Sequence, residues 1–307
     1  SFEVSVISLT DTSYVGKMIS SLNIDVYTLG MRKNISVLWK IYKLSKLIRQ
    51  VKPNVIQTWM YHADFFGSLA SKFVSNIPVI WGIHNSNLDP KLSRKTTIML
   101  AKVCAGLSHS LPAYSVVVSE SAGEIHTSLG YKNSIMKVIP NGFDLHTFKP
   151  DAFARREIRH ELGISSDAFV IGSIARYHPQ KDHATFIKAA GILKKIKPNV
   201  HFILCGEKVD WENKELASQI DAVGIKDSCH LLGNRTDMPA IHASFDLISM
   251  HSSFGDSFPL ILGEAMACET PCVTTDIGDA LYLVGDTGKV VTPGNPETLV
   301  NAWEEFI

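Results

Sequence analysis

The most informative part of the sequence is S-F-G-D-S-F-P-L-I-L-G-E-A-M-A-C, residues 253–268. It holds two carboxylates, Asp256 and Glu264, separated by seven residues. We predict a helix after the Gly/Ser-flanked loop, with Ser257 as its cap and Pro259 in its first turn. Glu264 then lies nearly two turns into an apolar helix, where a carboxylate is costly unless it is bound. It is either a structural acid paired with a buried cation or the partner of a hydroxyl-rich ligand.

Around this stretch, short apolar strands alternate with amphipathic helices, of which Ser36–Val51, His183–Ile196 and Asp210–Val223 are the clearest. This alternation predicts parallel sheets with helices on both faces. The predicted strands are Val4–Leu9, Asp25–Leu29, Val55–Thr58, Val79–Ile83, Ser115–Val118, Met136–Ile139, Val170–Ala175, Val200–Cys205, Cys229–Leu232, Leu247–Met250, Pro271–Thr274 and Lys289–Val291.

The pattern pauses at P-N-G-F-D-L-H-T-F-K-P, residues 140–150, where Pro, Asn and Gly are typical of a linker. A length of 307 residues also favours two domains. We therefore predict an α/β protein of two Rossmann-like, doubly wound domains, 1–150 and 151–307, that face each other across a cleft. In such sheets, ligands bind beyond the carboxyl ends of the strands.

Composition excludes several classes of protein. With 45% hydrophobic and 20% charged residues, the chain is an ordinary globular one. It has no apolar run of the roughly 18 residues that span a bilayer, and we expect no signal peptide. The five Cys residues form no C-x-x-C pair, which favours reduced thiols in a cytoplasmic protein. Because the first residues already have the pattern of a strand, we expect that a segment upstream is missing.

Charge is distributed unevenly although the net charge is zero. Residues 1–150 carry 16 Lys and Arg against 8 Asp and Glu, which leaves 14 basic and 22 acidic residues in the rest. The predicted helix Ser36–Val51 and the residue after it contribute Lys40, Lys43, Lys46, Arg49 and Lys52. This basic half either makes peripheral contact with an anionic membrane or presents a solvated surface. We expect no nucleic-acid partner.

A second loop carries cations. I-A-R-Y-H-P-Q-K-D-H, residues 174–183, joins a strand to a helix and contains Arg176 and Lys181. Free N–H groups at a helix N-terminus add to side-chain charges to make an anion site. Arg can bind a phosphate through two parallel hydrogen bonds, and Lys supplies a point charge.

Taken together, these motifs resemble those of the retaining glycosyltransferases of family 4 (glycosyltransferase group 1), which have the GT-B fold. A-R-Y-H-P-Q-K-D is similar to the family's Gly-Arg…Lys loop, and D-S-F-P-L-I-L-G-E-A-M-A to its acid-x7-Glu motif. I-P-N-G-F-D, H-L-L-G-N-R-T-D-M-P and T-P-C-V-T-T-D-I-G-D-A accompany them at the family's spacing. The resemblance covers nearly the whole chain.

The resemblance implies roles for individual residues. Arg176 and Lys181 would neutralise the donor's diphosphate, and Glu264 would hold the nucleotide ribose. Asp256 would meet the donor sugar with the backbone N–H groups of Ser257, Phe258 and Leu260. The backbone at Asn234 and Arg235 would frame the base, and His84, in G-I-H-N-S, would lie near the reacting centre.

The resemblance also implies an activity. A hexose would move, with retention and without a metal or another cofactor, from a UDP- or GDP-sugar to a polysaccharide or a lipid-linked glycan. Such transfers serve cell-surface glycan biosynthesis, including lipopolysaccharide, and we expect a cytoplasmic protein, either dissolved there or peripheral at the inner face of the membrane. A sugar-nucleotide epimerase is a second enzymatic interpretation.

Three features depart from the family pattern. The first acid is Asp256 instead of the more frequent Glu, and Glu269 stands where the family usually has Gly. The family's first strand, the Gly-rich loop after it and the terminal helix are missing from the sequence. These gaps favour an alternative interpretation, a truncated, non-catalytic module that binds a nucleotide or a partner protein.

Overall fold

The computed structural model describes residues 2–31, 36–86, 88 and 93–307. The chain divides into two compact units. Unit 1 comprises residues 1–84, 88–117 and 122–139, and unit 2 comprises residues 85–87, 118–121 and 140–307. Within the described ranges, no helix combines the length and the apolar character that a membrane crossing requires.

Unit 1 contains two parallel sheets, one that pairs β1 with β2 and one of four strands in the order β3-β4-β5-β6. Helices connect the strands, as a parallel sheet requires. The strands are β1 (Ser5–Ser8), β2 (Asp25–Thr28), β3 (Ile56–Trp59), β4 (Val79–Ile83), β5 (Tyr114–Val117) and β6 (Met136–Val138). The helices are α1 (Tyr14–Ser21), α2 (Val37–Val51), α3 (Met60–Lys72), α4 (Lys95–Leu107) and α5 (Glu120–Ser128).

Unit 2 contains one parallel sheet of six strands. These are β7 (Phe169–Ile174), β8 (Val200–Cys205), β9 (Cys229–Leu231), β10 (Leu247–Met250), β11 (Cys272–Thr275) and β12 (Lys289–Val291). The helices are α6 (Ala152–Glu161), α7 (His183–Ile196), α8 (Lys214–Val223), α9 (Met238–Ala243), α10 (Leu260–Ala267), α11 (Ala280–Val284) and α12 (Pro296–Glu304). All twelve predicted strands are present, with ends that differ by at most one residue.

The strand order of unit 2 creates the place where a ligand can bind. The order is β12-β11-β10-β7-β8-β9, so the chain winds outward from β7 in one direction and from β10 in the other. The two strands lie side by side, with Leu247 opposite Ile171 and Ile248 opposite Gly172. At such a reversal, the loops that leave the carboxyl ends of the two strands separate and open a crevice.

Neighbouring residues of these strands enter cores on opposite faces of the sheet, because side chains alternate along a strand. One core contains Ile171, Phe202 and Leu247 and also buries Trp303 of α12. The residues beside them in sequence, Val170, Ile203 and Ile248, pack into the other core with α10 and α11. The sheet is therefore covered on both faces, as continuous apolar strands require.

Two predicted helix starts are wrong. The helix predicted within residues 253–268 begins at Leu260 with Pro259 at its cap position and no side-chain cap bond, so Ser257 is not its cap. The helix predicted from Asp210 begins at Lys214. Asp210 instead accepts backbone hydrogen bonds within the preceding turn, and Asn213 caps the helix by accepting from the N–H of Leu216 at 3.2 Å. In the second case, the Asp210 side chain binds the turn before the helix instead of taking part in the helix.

Candidate functional site

The two charged loops of unit 2 meet beyond the ends of β7 and β10. The Lys181 ammonium donates to both carboxylate oxygens of Asp256, at 2.7 and 2.8 Å. The Gln180 side-chain amide donates to the same carboxylate at 3.2 Å. The Lys181 and Asp256 side chains retain 20% and 15% of their exposure, so solvent screens this ion pair only in part. The structure thus brings together two residues that the sequence assigned to one site.

Backbone contacts hold the two loops in place. The Ser253 N–H donates to the Gln180 carbonyl at 2.8 Å, which ties the loop after β10 to the loop after β7. Asp182 follows Lys181 in the left-handed conformation, with φ 44°, and its carboxylate caps α7 by accepting from the N–H of Thr185. The position of Lys181 is therefore fixed on one side by a helix start and on the other by a neighbouring loop.

A third loop supports Asp256 from the β11 side. Gly278 has φ +59°, and a Cβ there would lie 1.9 Å from the Asp256 carbonyl oxygen and 2.7 Å from that of Ser257. The next residue, Asp279, donates its N–H to the Ser257 carbonyl at 3.0 Å. Only glycine fits this close approach. This loop lies in the motif T-T-D-I-G-D-A, whose residues carry no local signal of a role at the site.

Arg176 follows β7 by two residues and is exposed. Within the described part of the chain, its guanidinium makes no hydrogen bond or ion pair with another side chain, whereas Lys181 is bound to Asp256. The two predicted phosphate ligands therefore differ: one is held by a carboxylate, and the other is available to an anion without losing a protein partner.

Glu264 lies in the second turn of α10 and is half-buried. Its carboxylate is 3.2 Å from the Nε2 atom of His242, a fully buried residue of α9. Phe148 packs edge-on against the same imidazole, with ring centroids 5.4 Å apart. The sequence left open whether Glu264 pairs with a buried cation or binds hydroxyl groups. A carboxylate has room for both, since His242 engages only one of its two oxygens.

The residues after Asp256 are packed to different degrees. Ser257 and Phe258 are buried, and Leu260 is 44% exposed. The Phe258 ring stacks on Phe143 with centroids 6.2 Å apart, and a Cβ at Gly263 would lie 2.0 Å from the Phe143 ring. This packing fixes the start of α10, where the first N–H groups of the helix lack intrahelical partners.

The loop after β9 holds the two residues predicted to frame a base. Asn234 is exposed, whereas Arg235 donates to Asp237 at 2.8 and 2.7 Å and to Glu161 at 2.6 and 3.2 Å. These hydrogen bonds to Asp237 and Glu161 raise the pKa of Arg235 above its ordinary value. The Arg235 side chain is therefore bound to Asp237 and Glu161. A ligand in this loop would contact the backbone of Arg235 instead of its guanidinium.

His84 belongs to unit 1 and directly follows β4. Partial desolvation lowers its pKa below the usual value, so the imidazole is uncharged at neutral pH. The role near the reacting centre that the resemblance implies for His84 stays a prediction, as do the roles of the unit 2 residues.

Two further histidines lie beneath the Lys181 loop. His183 and His251 are buried, and their rings pack edge-on with centroids 5.6 Å apart. Burial lowers the pKa of His183 to about 4 and that of His251 well below its ordinary value. Both are therefore neutral at physiological pH and add no charge to the crevice. Their burial could not be read from the motif that contains His183.

No group of three or more His, Cys, Asp and Glu side chains that could hold a metal ion occurs in the ranges that the structure describes. The metal independence that the resemblance implies stays a prediction. All five cysteines are buried, unpaired thiols.

Both halves of the chain match models of known glycosyltransferase families. Residues 154–307 match the model of glycosyl transferases group 1, and residues 2–147 match the model of glycosyltransferase family 4. The first match covers half of the chain and contains the whole Lys181–Asp256–Glu264 region.

A crystal structure of Anabaena Alr3699/HepE in complex with UDP-glucose superposes with a TM-score of 0.84. It is 25% identical and covers 98% of this chain and 81% of that one. The predicted α/β fold of the GT-B type is confirmed by this likeness and by the two family matches.

Curated relatives are similar in sequence over much of the chain. EpsF of Bacillus subtilis (strain 168) is 26% identical over 80% of this chain, which spans 64% of that protein. The UDP-Gal:alpha-D-GlcNAc-diphosphoundecaprenol alpha-1,3-galactosyltransferase of Escherichia coli is 24% identical over 88% of this chain and 71% of its own length. The D-inositol 3-phosphate glycosyltransferase of Paenarthrobacter aurescens (strain TC1) is 31% identical over 60% of this chain, which spans 46% of that protein.

Proposed function

The chain belongs to the glycosyl transferases of group 1, and on that premise we propose that it transfers a hexose from a nucleotide sugar to a glycan acceptor, with retention at the anomeric carbon. In this proposal residues 151–307 bind the donor and residues 1–150 face the acceptor. The donor is a UDP-sugar, supported by the UDP-glucose complex of the Anabaena relative. The acceptor is a polysaccharide or a lipid-linked glycan, supported by the diphosphoundecaprenol substrate named for the Escherichia coli relative.

One observation carries the proposal: a lysine, a glutamine and an aspartate converge at the strand-order reversal of unit 2. An ammonium group has three N–H donors, and Asp256 takes two of those on Lys181. The third is free to bind a phosphate oxygen, and the nearby exposed Arg176 can bind a second one through two hydrogen bonds. This arrangement suits a diphosphate, whose charge exceeds what one cation neutralises.

The same charges can accelerate the reaction. When the bond between the sugar and the phosphate breaks, negative charge builds on the leaving diphosphate, and Lys181 and Arg176 stabilise that charge. Because Asp256 holds Lys181 in place before the donor arrives, little reorganisation is needed during the reaction. We propose front-face attack by the acceptor hydroxyl, without a covalent enzyme intermediate and without a metal.

The other site residues orient the donor in this proposal. Glu264 accepts hydrogen bonds from the ribose diol, and His242 keeps the carboxylate oriented. Asp256 meets a hydroxyl of the donor sugar, while the N–H groups of Ser257, Phe258 and Leu260 at the start of α10 contact the phosphates.

Two further roles complete the donor site. The backbone at Asn234 and Arg235 contacts the base, and His84 lies near the anomeric carbon. The uncharged imidazole of His84 can both donate and accept a hydrogen bond with the sugar.

We also propose peripheral contact with an anionic membrane at its cytoplasmic face, which would bring the protein to a lipid-linked acceptor. Helix α2 supports this, because Leu38, Trp39 and Tyr42 are exposed among its lysines. Sedimentation with anionic vesicles at low salt tests the contact, and Lys46→Glu should weaken it. Equal sedimentation with neutral and anionic vesicles would reject it.

The catalytic proposal is tested by removing the charge of Lys181. Thermal shift with UDP-, GDP- and ADP-sugars first identifies the donor. Lys181→Met should then lower turnover of that donor by roughly 10²-fold or more, the usual loss of one charge-stabilising group. Lys188→Met is the matched control, because Lys188 is an exposed lysine in the second turn of α7.

A turnover number that is equal in Lys181→Met and Lys188→Met would reject the phosphate role. Stabilisation by none of the three classes of nucleotide sugar would reject the donor-binding proposal itself.

A further inference from the structure

An exposed tryptophan stands at the carboxyl edge of the four-stranded sheet of unit 1. Trp59 is the last residue of β3, and 56% of it is exposed. Within the described ranges, its side chain makes no hydrogen bond, and no ring pair involves it. The other tryptophan of this sheet, Trp81, behaves as a core residue: it is fully buried and donates to Ser68 at 2.7 Å. A core role therefore does not explain Trp59.

The strand beside Trp59 passes so close to β3 that only a glycine fits there. Trp59 pairs in register with Gly82 of β4. A Cβ at Gly82 would lie 2.7 Å from the Thr58 carbonyl oxygen, 3.6 Å from Cδ1 of Trp59 and 3.8 Å from Nε2 of His84. The indole of Trp59 and the imidazole of His84 thus both border Gly82, whose lack of a side chain lets the two strands approach. Small-molecule sites in α/β proteins form at this edge of the sheet.

The turn after Trp59 is strained. Met60 has φ +69°, a left-handed conformation that residues with side chains rarely adopt, and α3 begins at this same residue. The sharp turn ends β3 at Trp59 and places His62, also exposed, in the first turn of α3. Strain of this kind persists where the surrounding structure requires it, which is most often at ligand sites.

The chemistry of the three side chains fits a pyranose ring. The face of an indole carries negative charge density, and the axial C–H groups on one face of a pyranose carry partial positive charge, so the two faces stack. The imidazoles of His84 and His62 can exchange hydrogen bonds with hydroxyl groups at the rim of the ring. A phosphate would find no Lys or Arg among these residues, and a lipid chain would gain nothing from the two imidazoles.

We propose that Trp59, with Gly82 and His84, forms a subsite that stacks a pyranose ring of the acceptor. The inference rests on the proposed transferase function and adds to it that the acceptor carries a sugar ring next to the hydroxyl that reacts. Trp59 is thereby a specificity-determining residue for the acceptor and takes no part in binding the nucleotide.

Direct binding tests the subsite without any need for turnover. The full chain is labelled with 5-fluorotryptophan, and the Trp59 resonance is assigned by its loss in Trp59→Phe. The probes are methyl α-glycosides of glucose, galactose and N-acetylglucosamine, with glycerol as a polyol that lacks a ring. We expect at least one pyranoside to shift the Trp59 resonance and glycerol to leave it unmoved. A resonance that ignores all three pyranosides, or that responds equally to glycerol, overturns the proposal.

Kinetics separates this inference from the proposed function. With the pyranoside that shifts the resonance as acceptor, Trp59→Ala should lower kcat/KM for transfer by about 10-fold or more, mainly through KM, while Trp59→Phe retains most of it. UDP affinity should stay unchanged in both variants.

Tyr114→Ala is the matched control. Tyr114 is 49% exposed and is the first residue of β5, so it lies at the amino ends of the strands, whereas Trp59 lies at their carboxyl ends. An equal loss in Tyr114→Ala, or none in Trp59→Ala, contradicts the subsite. If the wild-type protein fails to bind UDP while a pyranoside still shifts its Trp59 resonance, the transferase function alone is refuted.

Discussion

Gly278 offers a sharp test of the geometry around Asp256, because a single methyl group at this position must displace the Asp256 loop. In Gly278→Ala the new Cβ would lie 1.9 Å from the Asp256 carbonyl oxygen, against about 3.4 Å for ordinary contact. The loop must therefore retreat by about 1.5 Å. Hydrogen bonds of 2.7 and 2.8 Å between Lys181 and Asp256 do not survive such a shift unless Lys181 follows.

The expected magnitude has two parts. A side chain at φ +59° costs about 1–2 kcal/mol, and the steric overlap adds about 1–3 kcal/mol. Gly224→Ala isolates the first part, since Gly224 has φ +72° but nothing within 4 Å of its Cβ position. We therefore expect Gly278→Ala to lower the free energy of unfolding by about 2–5 kcal/mol, against about 1–2 kcal/mol for the control.

Urea denaturation measures both variants, and calorimetry with UDP measures the consequence for the site. UDP affinity should fall by about 10-fold or more in Gly278→Ala, because Lys181 loses the Asp256 carboxylate that holds it in place for the diphosphate. In Gly224→Ala, UDP affinity should be unchanged. Equal unfolding free energies for the two variants, or undiminished UDP affinity in a folded Gly278→Ala protein, would show that Gly278 does not position the Asp256 loop.

Two further predictions concern buried and half-buried carboxylates. Glu264→Ala should weaken UDP binding by about 1.5–3 kcal/mol in calorimetry, and equal affinity would refute the ribose role. Burial raises the pKa of Asp64 to about 7 from an ordinary value of 3.8, so the folded protein retains a proton there that the unfolded chain releases, and stability falls as pH rises through this window. The stability of Asp64→Asn relative to wild type should therefore rise by about 1–3 kcal/mol between about pH 5 and about pH 8, whereas parallel urea-denaturation profiles would contradict the assignment.

Most of the fold could be predicted from the sequence because buried parallel strands are continuous apolar runs between turn residues. Val79–Ile83, Val200–Cys205 and Leu247–Met250 have the predicted ends for this reason. Helix starts were harder, since the Asp210 side chain binds the turn before its helix and α10 begins only at Leu260, three residues after Ser257.

Individual residues of the site could be predicted from the sequence, but the contacts between them could not. Lys181 and Asp256 carry chemical signals in their own loops, but they are 75 positions apart in the sequence. Their contact depends on β7 lying beside β10, which is a property of the strand order. Gln180 and Gly278 have no local signal at all, because their roles come from the Asp256 loop that packs against them. The same holds for Trp59, whose exposure depends on the sharp turn at Met60.

The most direct test of the central claim is a crystal structure of this chain with UDP bound. We expect the diphosphate to lie within hydrogen-bond distance of Arg176 and Lys181 and the ribose hydroxyls to contact Glu264. A nucleotide bound away from these three residues would contradict the donor site and the mechanism derived from it.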